Sequence, residues 1–307
     1  MSELDPEIAK SAGFRFFPKR MVFTNTSVRV MRVLSGVMKP PADTTGLDIE
    51  RFPVAGSDKD VIVYRRPSES PLPVVFWIHG GGFVLGTNDQ AGWGATFASH
   101  LPVALVSAGY RLAPENPFPA ALDDLRTAID WLSTDGADLD LDPTRVCVAG
   151  ESAGGGLAAS LVQRLADEGV EVAGQLLVYP MLDDRTATRP EHGAKDHMIW
   201  TNGSNRHGWS SYLGRAPGAE TVPPYAVPGR REDLAGLPPT WIGVGDLDLF
   251  WDEDHAYAER LAECGVECRL ETFPGAPHGF PSMAPDAAVS RKLVESAQGF
   301  VADVLLP

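Results

Sequence analysis

The chain has 307 residues, of which 44% are hydrophobic and 22% are charged, and its formal net charge is −15. This composition is ordinary for a soluble globular protein, and three cysteines are too few for a disulfide framework. The acidic balance disfavours a nucleic-acid partner, which needs basic side chains, and disfavours an anionic membrane surface. No apolar run reaches the roughly 20 residues of a membrane-spanning helix. The first residues lack the apolar stretch of a secretory signal, so we expect a cytoplasmic protein.

The order of apolar patterns along the chain predicts the fold. Two runs with helix-like spacing come first, at 6–14 and 25–38, and Pro40-Pro41 ends the second. Short runs rich in β-branched and aromatic residues follow, and they are typical of strands buried on both faces: 61–66, 74–79, 103–108, 145–150, 175–180, 240–245 and 268–273. Helical patterns lie between and after them: 119–134, 152–169, 253–265 and 286–305. This alternation predicts an α/β fold with a mostly parallel sheet and helices on both faces.

Residues 183–229 interrupt this alternation. They contain many glycines and prolines, several aromatic residues and no clear strand. Because long structured loops are usually functional, we expect this insertion to form a cap together with the N-terminal segment 1–45. The alternative is a long surface excursion. Residues 46–182 and 230–307 then form the main α/β domain.

The stretch "VAGESAGGG" at 148–156 contains the strongest chemical signal. It places Ser152 in a Gly-x-Ser-x-Gly frame between Gly150 and Gly154, after a predicted strand and before a predicted helix. Glycines are needed where side chains would collide in so tight a bend, and the helix N-terminus favours a nearby negative charge. In this context the frame is typical of a nucleophilic serine.

A serine hydroxyl needs a base, and the base needs a carboxylate that fixes its tautomer. His278 lies on a Gly- and Pro-rich loop after the last predicted strand. The loop after the preceding strand offers Asp246, Asp248 and Asp252. The chain order of serine, aspartate and histidine is that of α/β-hydrolases.

A glycine-rich loop follows the strand at 74–79. His79, Gly80, Gly81 and Gly82 lie together there, and residues without side chains allow backbone N–H groups to face a carbonyl oxygen. The N–H of Ala153, directly after Ser152, is the further candidate donor. His79 precedes the glycines, and we expect it to hold their loop by hydrogen bonding instead of reacting.

The combined motifs resemble the hormone-sensitive-lipase-like branch of α/β-hydrolases, the bacterial family IV carboxylesterases with a His-Gly-Gly-Gly motif. The resemblance covers roughly residues 46–307 and rests on five stretches in the same order and spacing: "HGGGFVLG", "YRLAPENPFPAALDD", "GESAGGG", "DLDLFWDEDHAYAERL" and "PHGF". It implies Ser152, Asp248 and His278 as the triad. Asp246 stays the alternative acid, because it lies only two residues from Asp248. The resemblance also implies Gly81, Gly82 and Ala153 as oxyanion donors, and a cap over the site.

The function that this resemblance implies is hydrolysis of short- to medium-chain carboxylic esters through an acyl-enzyme, without a metal or an organic cofactor. An amidase or deacetylase that uses the same site is one alternative. A binding protein on an inactive hydrolase scaffold is another, since plant gibberellin receptors resemble the same branch but lack the histidine. The resemblance also suggests a homodimer through the last strand and helix.

The acidic residue inside the serine motif needs its own explanation. Glu151 precedes Ser152, and a buried carboxylate without a partner is costly. We therefore expect Glu151 to be buried and paired, with Arg111 as the candidate partner. The "YRLAPE" stretch around Arg111 is expected to have an architectural role instead of a chemical one.

Overall fold

The computed structural model describes residues 3–16, 22–35, 43–191 and 197–307. An eight-stranded sheet lies at its centre. Its strands are β1 Asp48–Pro53, β2 Asp60–Arg65, β3 Leu72–Ile78, β4 Ala104–Ala108, β5 Leu141–Glu151, β6 Gly174–Val178, β7 Thr240–Gly245 and β8 Cys268–Phe273. The strand order is β1-β2-β4-β3-β5-β6-β7-β8. β1 and β2 pair antiparallel with each other, β2 pairs antiparallel with β4, and all other pairs are parallel.

Helices cover both faces of this sheet. They are α1 Pro6–Lys10, α2 Ala12–Phe16, α3 Asn25–Ser35, α4 Thr96–His100, α5 Ala120–Leu132, α6 Ala153–Asp167, α7 Asn202–Leu213, α8 Trp251–Glu263, α9 Phe280–Met283 and α10 Ala288–Leu305. The buried residues of α5, α6 and α8 share one core with Phe76, whereas those of α4 and α10 share a second core with Trp77. Because successive strand residues point to opposite faces, these two cores are the two faces of the sheet. Within the described ranges, none of the helices has both the length and the apolar character needed to cross a bilayer.

The predicted α/β fold is confirmed, and all seven predicted strands are present with ends shifted by a few residues. β1 was missed because it is an edge strand with mostly exposed residues, so it lacks an apolar run. The helix predicted over 6–14 is two short helices separated by Ser11, whose backbone is extended and whose hydroxyl donates to the carbonyl of Met283 at 2.7 Å. The helix stop at Pro40-Pro41 lies outside the described residues.

The strand register brings two of the predicted motifs together. Ile78, the last residue of β3, is paired with Gly150 near the end of β5. The glycine loop that begins at His79 and the turn at Ser152 therefore leave neighbouring strands at the same edge of the sheet. The loops after β7 and β8 leave at this edge too, because these strands run parallel to β5 and Gly245 is paired with Phe273.

Gly154, in the first turn of α6, has no space for a side chain. A Cβ atom there would lie 2.2 Å from the carbonyl oxygen of Ile78 and 2.4 Å from that of His79, both of them backbone atoms. We expect Gly154→Ala to lower the free energy of unfolding by about 1–3 kcal/mol, because β3 and α6 must move apart to make room for the methyl group. Urea denaturation with a constant m-value measures this change.

Gly299 in α10 provides the matched control. It is helical and exposed, and a Cβ atom there would meet nothing within 4 Å. Gly299→Ala should raise the free energy of unfolding by about 0.5–1 kcal/mol through helix propensity alone. Equal effects of the two substitutions would contradict the packing argument.

Candidate active site

Ser152 lies on a strained turn between β5 and α6. Its backbone has φ 55° and ψ −124°, which is unusual for a residue with a side chain, and it is only 6% exposed. Its amide donates to the carbonyl of Val178 at 2.9 Å, and its own carbonyl accepts from the amide of Met181 at 3.0 Å. These two bonds fix the turn against the end of β6.

The glycines of the serine motif are explained by close backbone contacts. A Cβ atom on Gly150 would lie 2.3 Å from the carbonyl oxygen of Gly154, and one on Gly154 would meet the end of β3. Strand, turn and helix therefore approach each other more closely than any side chain permits. These contacts explain why the tight strand-to-helix bend has glycine at both positions, as the sequence pattern predicted.

A hydrogen-bonded chain runs from Ser152 through His278 to Asp248. The Ser152 hydroxyl Oγ lies 2.9 Å from His278 Nε2, and His278 Nδ1 donates to Asp248 Oδ2 at 2.8 Å. The second oxygen of Asp248 accepts from the amide of Phe250 at 3.0 Å. Asp248 is 3% exposed and His278 is 6% exposed, so solvent hardly competes for these bonds.

The other two aspartates of this loop have different positions. Asp246 accepts from the backbone amide of Gly275 at 2.7 Å, which ties the loop after β7 to the loop after β8. Asp252 lies in the first turn of α8, where a negative charge is favourable. Of the three candidates, Asp248 is the one whose carboxylate contacts His278.

The glycine loop after β3 borders the same site. Gly81 has φ 114° and Gly82 has φ 61°, conformations that favour glycine. A Cβ atom on Gly81 would lie 2.2 Å from the carbonyl oxygen of Leu85, and one on Gly82 would lie 2.1 Å from the Trp200 ring. Ala153 is the first residue of α6, and the first amides of a helix have no partner within the helix.

His79 holds this loop through a hydrogen bond and a ring contact. Its Nδ1 donates to the carbonyl of Gly80 at 2.8 Å, and its ring stacks on Tyr110 with centroids 4.3 Å apart. The Tyr110 hydroxyl donates to the carbonyl of His79 at 2.9 Å, so the "YRLAPE" stretch contributes to this support. Burial lowers the pKa of His79 to about 4, which leaves the imidazole neutral near pH 7.

The predicted pairing of Glu151 with Arg111 is wrong. Glu151 Oε2 accepts from the Trp93 indole at 3.2 Å and from the Tyr179 hydroxyl at 3.1 Å. Arg111 instead donates to Asp124 on α5 at 2.8 Å. The alternation of β5 explains the error, because Glu151 is on the sheet face opposite α5.

The surroundings of Glu151 and Tyr179 shift the pKa values of both side chains. Burial raises the pKa of the Glu151 carboxyl, although the hydrogen bonds from Tyr179 and Trp93 oppose this shift. Burial and the neighbouring Glu151 carboxyl raise the pKa of the Tyr179 hydroxyl well above its usual value. Tyr179 is therefore a hydrogen-bond donor at neutral pH, and its ring lies edge-on to His278 with centroids 4.8 Å apart.

A cavity of about 330 Å³ adjoins Ser152 and His278. Most of the cavity wall is apolar. The residues that form this wall lie far apart in the sequence. The lining residues include Phe23, Met31, Gly80, Gly81, Gly82, Gln90, Glu151, Tyr179, Ile199, Trp200 and Met283. Phe23 packs on Trp200 with ring centroids 5.6 Å apart, which joins the N-terminal segment to the insertion at 183–229. Sequence reasoning did not identify Phe23 or Met31, because no local pattern shows which distant wall they join.

Known proteins similar to this chain identify its family. A family described as having the α/β-hydrolase fold matches residues 75–282. The carboxylesterase NlhH of Mycobacterium tuberculosis is 35% identical over 246 residues, which cover 74% of this chain and 73% of that protein. The solved structure of a bacterial heroin esterase is 34% identical and superimposes with a TM-score of 0.90, covering 99% of this chain and 98% of that chain.

The relatives also include a receptor. The gibberellin receptor GID1 of Oryza sativa subsp. japonica is 30% identical over 247 residues, covering 76% of this chain and 68% of that protein. The family match extends over more than half of the chain. Each of the two esterases aligns with a still larger share of the chain. The chain therefore belongs to the α/β-hydrolase family, in the hormone-sensitive-lipase-like branch of carboxylic ester hydrolases.

Proposed function

We propose that this protein is a serine carboxylesterase that cleaves short- to medium-chain esters with Ser152, His278 and Asp248. The observation that carries the proposal is the continuous hydrogen-bonded chain from the Ser152 hydroxyl to the Asp248 carboxylate beside an apolar cavity. Such a chain increases the nucleophilicity of a serine and stabilises the imidazolium that forms.

In this mechanism the Ser152 hydroxyl attacks the ester carbonyl while His278 Nε2 takes its proton. The carbonyl oxygen becomes an oxyanion, which accepts hydrogen bonds from the amides of Gly81, Gly82 and Ala153. His278 then protonates the departing alcohol, and an acyl group remains on Ser152. Water, deprotonated by His278, releases the acid and restores the serine.

The cap is part of the proposal. Phe23 and Met31 from the segment 1–45, and Ile199 and Trp200 from the insertion 183–229, line the cavity together with the catalytic residues. A volume of about 330 Å³ is near the lower end for small-molecule sites. This size favours a short acyl chain with a compact alcohol.

The serine is tested first. We expect wild type to release p-nitrophenol from acetyl and butyryl esters faster than from octanoyl and palmitoyl esters, with an initial burst. Ser152→Ala should lower kcat by about a millionfold, because the nucleophile and its base act as a unit. A folded wild type that cleaves none of the four esters would favour the binding-protein alternative. Faster cleavage of a matched acetanilide than of the acetate would favour the amidase.

The acid is tested by a matched pair of substitutions. Asp248→Asn should lower kcat by about 10⁴-fold, because the neutral amide no longer holds the required tautomer of His278. Asp246→Asn keeps an oxygen for the Gly275 amide and should lower kcat less than about tenfold. Steady-state kinetics on p-nitrophenyl acetate measures both. The reverse ranking would assign the acid role to Asp246.

The homodimer also remains a proposal. β8 is an edge strand of the sheet, and unpaired edges favour pairing with another chain. Light scattering at micromolar concentration should give twice the mass of one chain. A single-chain mass would contradict this proposal and leave the esterase proposal unaffected.

A further inference from the structure

Glu151 lines the cavity, and one of its carboxylate oxygens has no partner among the described residues. Glu151 Oε2 receives both hydrogen bonds that the side chain accepts, from Trp93 and Tyr179. Its Oε1 receives none from the part of the chain that the structure describes, and this oxygen is not fully enclosed by protein atoms. Glu151 is half-buried and lines the cavity. Oε1 is therefore the oxygen that a ligand in the cavity meets.

The side chain of Glu151 is close to that of the reacting serine. A Cβ atom built on Gly80 would lie 3.3 Å from Ser152 Cβ and 3.4 Å from Glu151 Cγ. Both side chains thus border the same glycine from one side. A substrate bound at Ser152 has part of its structure within reach of the Glu151 carboxyl.

The rest of the wall favours a cation at this position. The rings of Phe23, Tyr179 and Trp200 line the cavity, and no lysine or arginine is among the described lining residues. Aromatic faces attract ammonium groups, particularly where water is excluded. A carboxylate oxygen surrounded by rings and apolar carbon is the usual chemistry of an ammonium site.

The charge of the whole protein acts in the same direction. A formal net charge of −15 attracts cationic ligands over a distance of about 10 Å at ordinary ionic strength. This attraction is screened by salt, whereas contact with Glu151 inside the cavity is screened much less. High salt therefore removes most of the attraction by the net charge and leaves the contact with Glu151.

We propose that Glu151 selects esters carrying an ammonium group, through its open oxygen Oε1 and the aromatic wall of the cavity. This proposal rests on the proposed esterase function and adds a substrate class to it. The contact involves no covalent step. The ammonium group is part of the substrate and stays bound at Glu151 while Ser152, His278 and Asp248 cleave the ester bond.

The ionised form of Glu151 is disfavoured by burial while the cavity holds no cation. Burial raises the pKa of its carboxyl, while the Tyr179 and Trp93 donors lower it. An ammonium group at Oε1 favours the ionised form further, because an opposite charge within a few ångströms stabilises it. Binding of the cation and ionisation of the carboxyl therefore support each other.

The test compares cationic esters with neutral carbon isosteres in high salt. One pair carries the charge in the alcohol: acetylcholine and 3,3-dimethylbutyl acetate. The other carries it in the acyl chain: the p-nitrophenyl esters of 4-(trimethylammonio)butyrate and 5,5-dimethylhexanoate. In at least one pair, wild type should prefer the cationic ester about tenfold in kcat/KM, which corresponds to one charge-assisted contact.

Glu151→Gln keeps an oxygen for Tyr179 and Trp93 but removes the charge, so it should lower that preference about tenfold. Glu69→Gln provides the control. Glu69 is exposed in the loop before β3, at the sheet edge opposite Ser152, and its substitution changes the net charge equally. The control should keep the wild-type preference.

Two results would overturn the proposal. One is a wild type that cleaves the neutral ester of each pair at least as fast as the cationic one. The other is an unchanged preference in Glu151→Gln. If that variant does not fold, competitive inhibition of wild type decides: tetramethylammonium should inhibit and tert-butanol at the same concentration should not. Failure to cleave any of these esters would instead refute the proposed function.

Discussion

The site depends on one strained residue, Ser152, whose backbone adopts a positive φ between β5 and α6. Such a conformation costs on the order of 1–3 kcal/mol for a residue with a side chain, so its surroundings must stabilise it. Backbone hydrogen bonds to Val178 and Met181 do so on one side. On the other side, Gly150 and Gly154 allow β3, β5 and α6 to approach within distances that exclude a Cβ atom. Every other element of the site is arranged around this turn.

Two histidines at the same edge of the sheet show how partners determine roles. His79 is buried, and its Nδ1 donates to a neutral backbone carbonyl, so desolvation outweighs the hydrogen bond to Gly80 and the charge of Asp89 and lowers the pKa of the ring. His278 Nδ1 donates to the carboxylate of Asp248, and its Nε2 faces the Ser152 hydroxyl. The same side chain therefore supports a loop in one position and is suited to proton transfer in the other.

Local signals predicted most of the fold, and long-range contacts account for what was missed. Buried strands such as β3 and β7 are continuous apolar runs, so their composition identified them, whereas the exposed edge strand β1 has no such run. The serine motif and the histidine loop were visible because tight turns need particular residues at fixed spacing. The partner of Glu151 was not visible, because Trp93 and Tyr179 are separated from it by 58 and 28 positions. Sequence showed that a carboxylate needed a partner, but only the strand alternation shows on which face the partner lies.

The two acidic side chains of the site differ in how completely the protein satisfies them. Asp248 is almost fully buried, and each of its oxygens accepts a hydrogen bond, one from His278 and one from the Phe250 amide. Both bonds serve to hold the imidazole, so its position follows from the protein alone. Glu151 is half-buried, and both of its donors bind the same oxygen. Packing therefore explains where the carboxyl lies but not why an acid is retained in an apolar wall, since a neutral amide would satisfy the same two donors. The charged substrate group that we propose supplies that reason, because it interacts with an acid and gains far less from an amide.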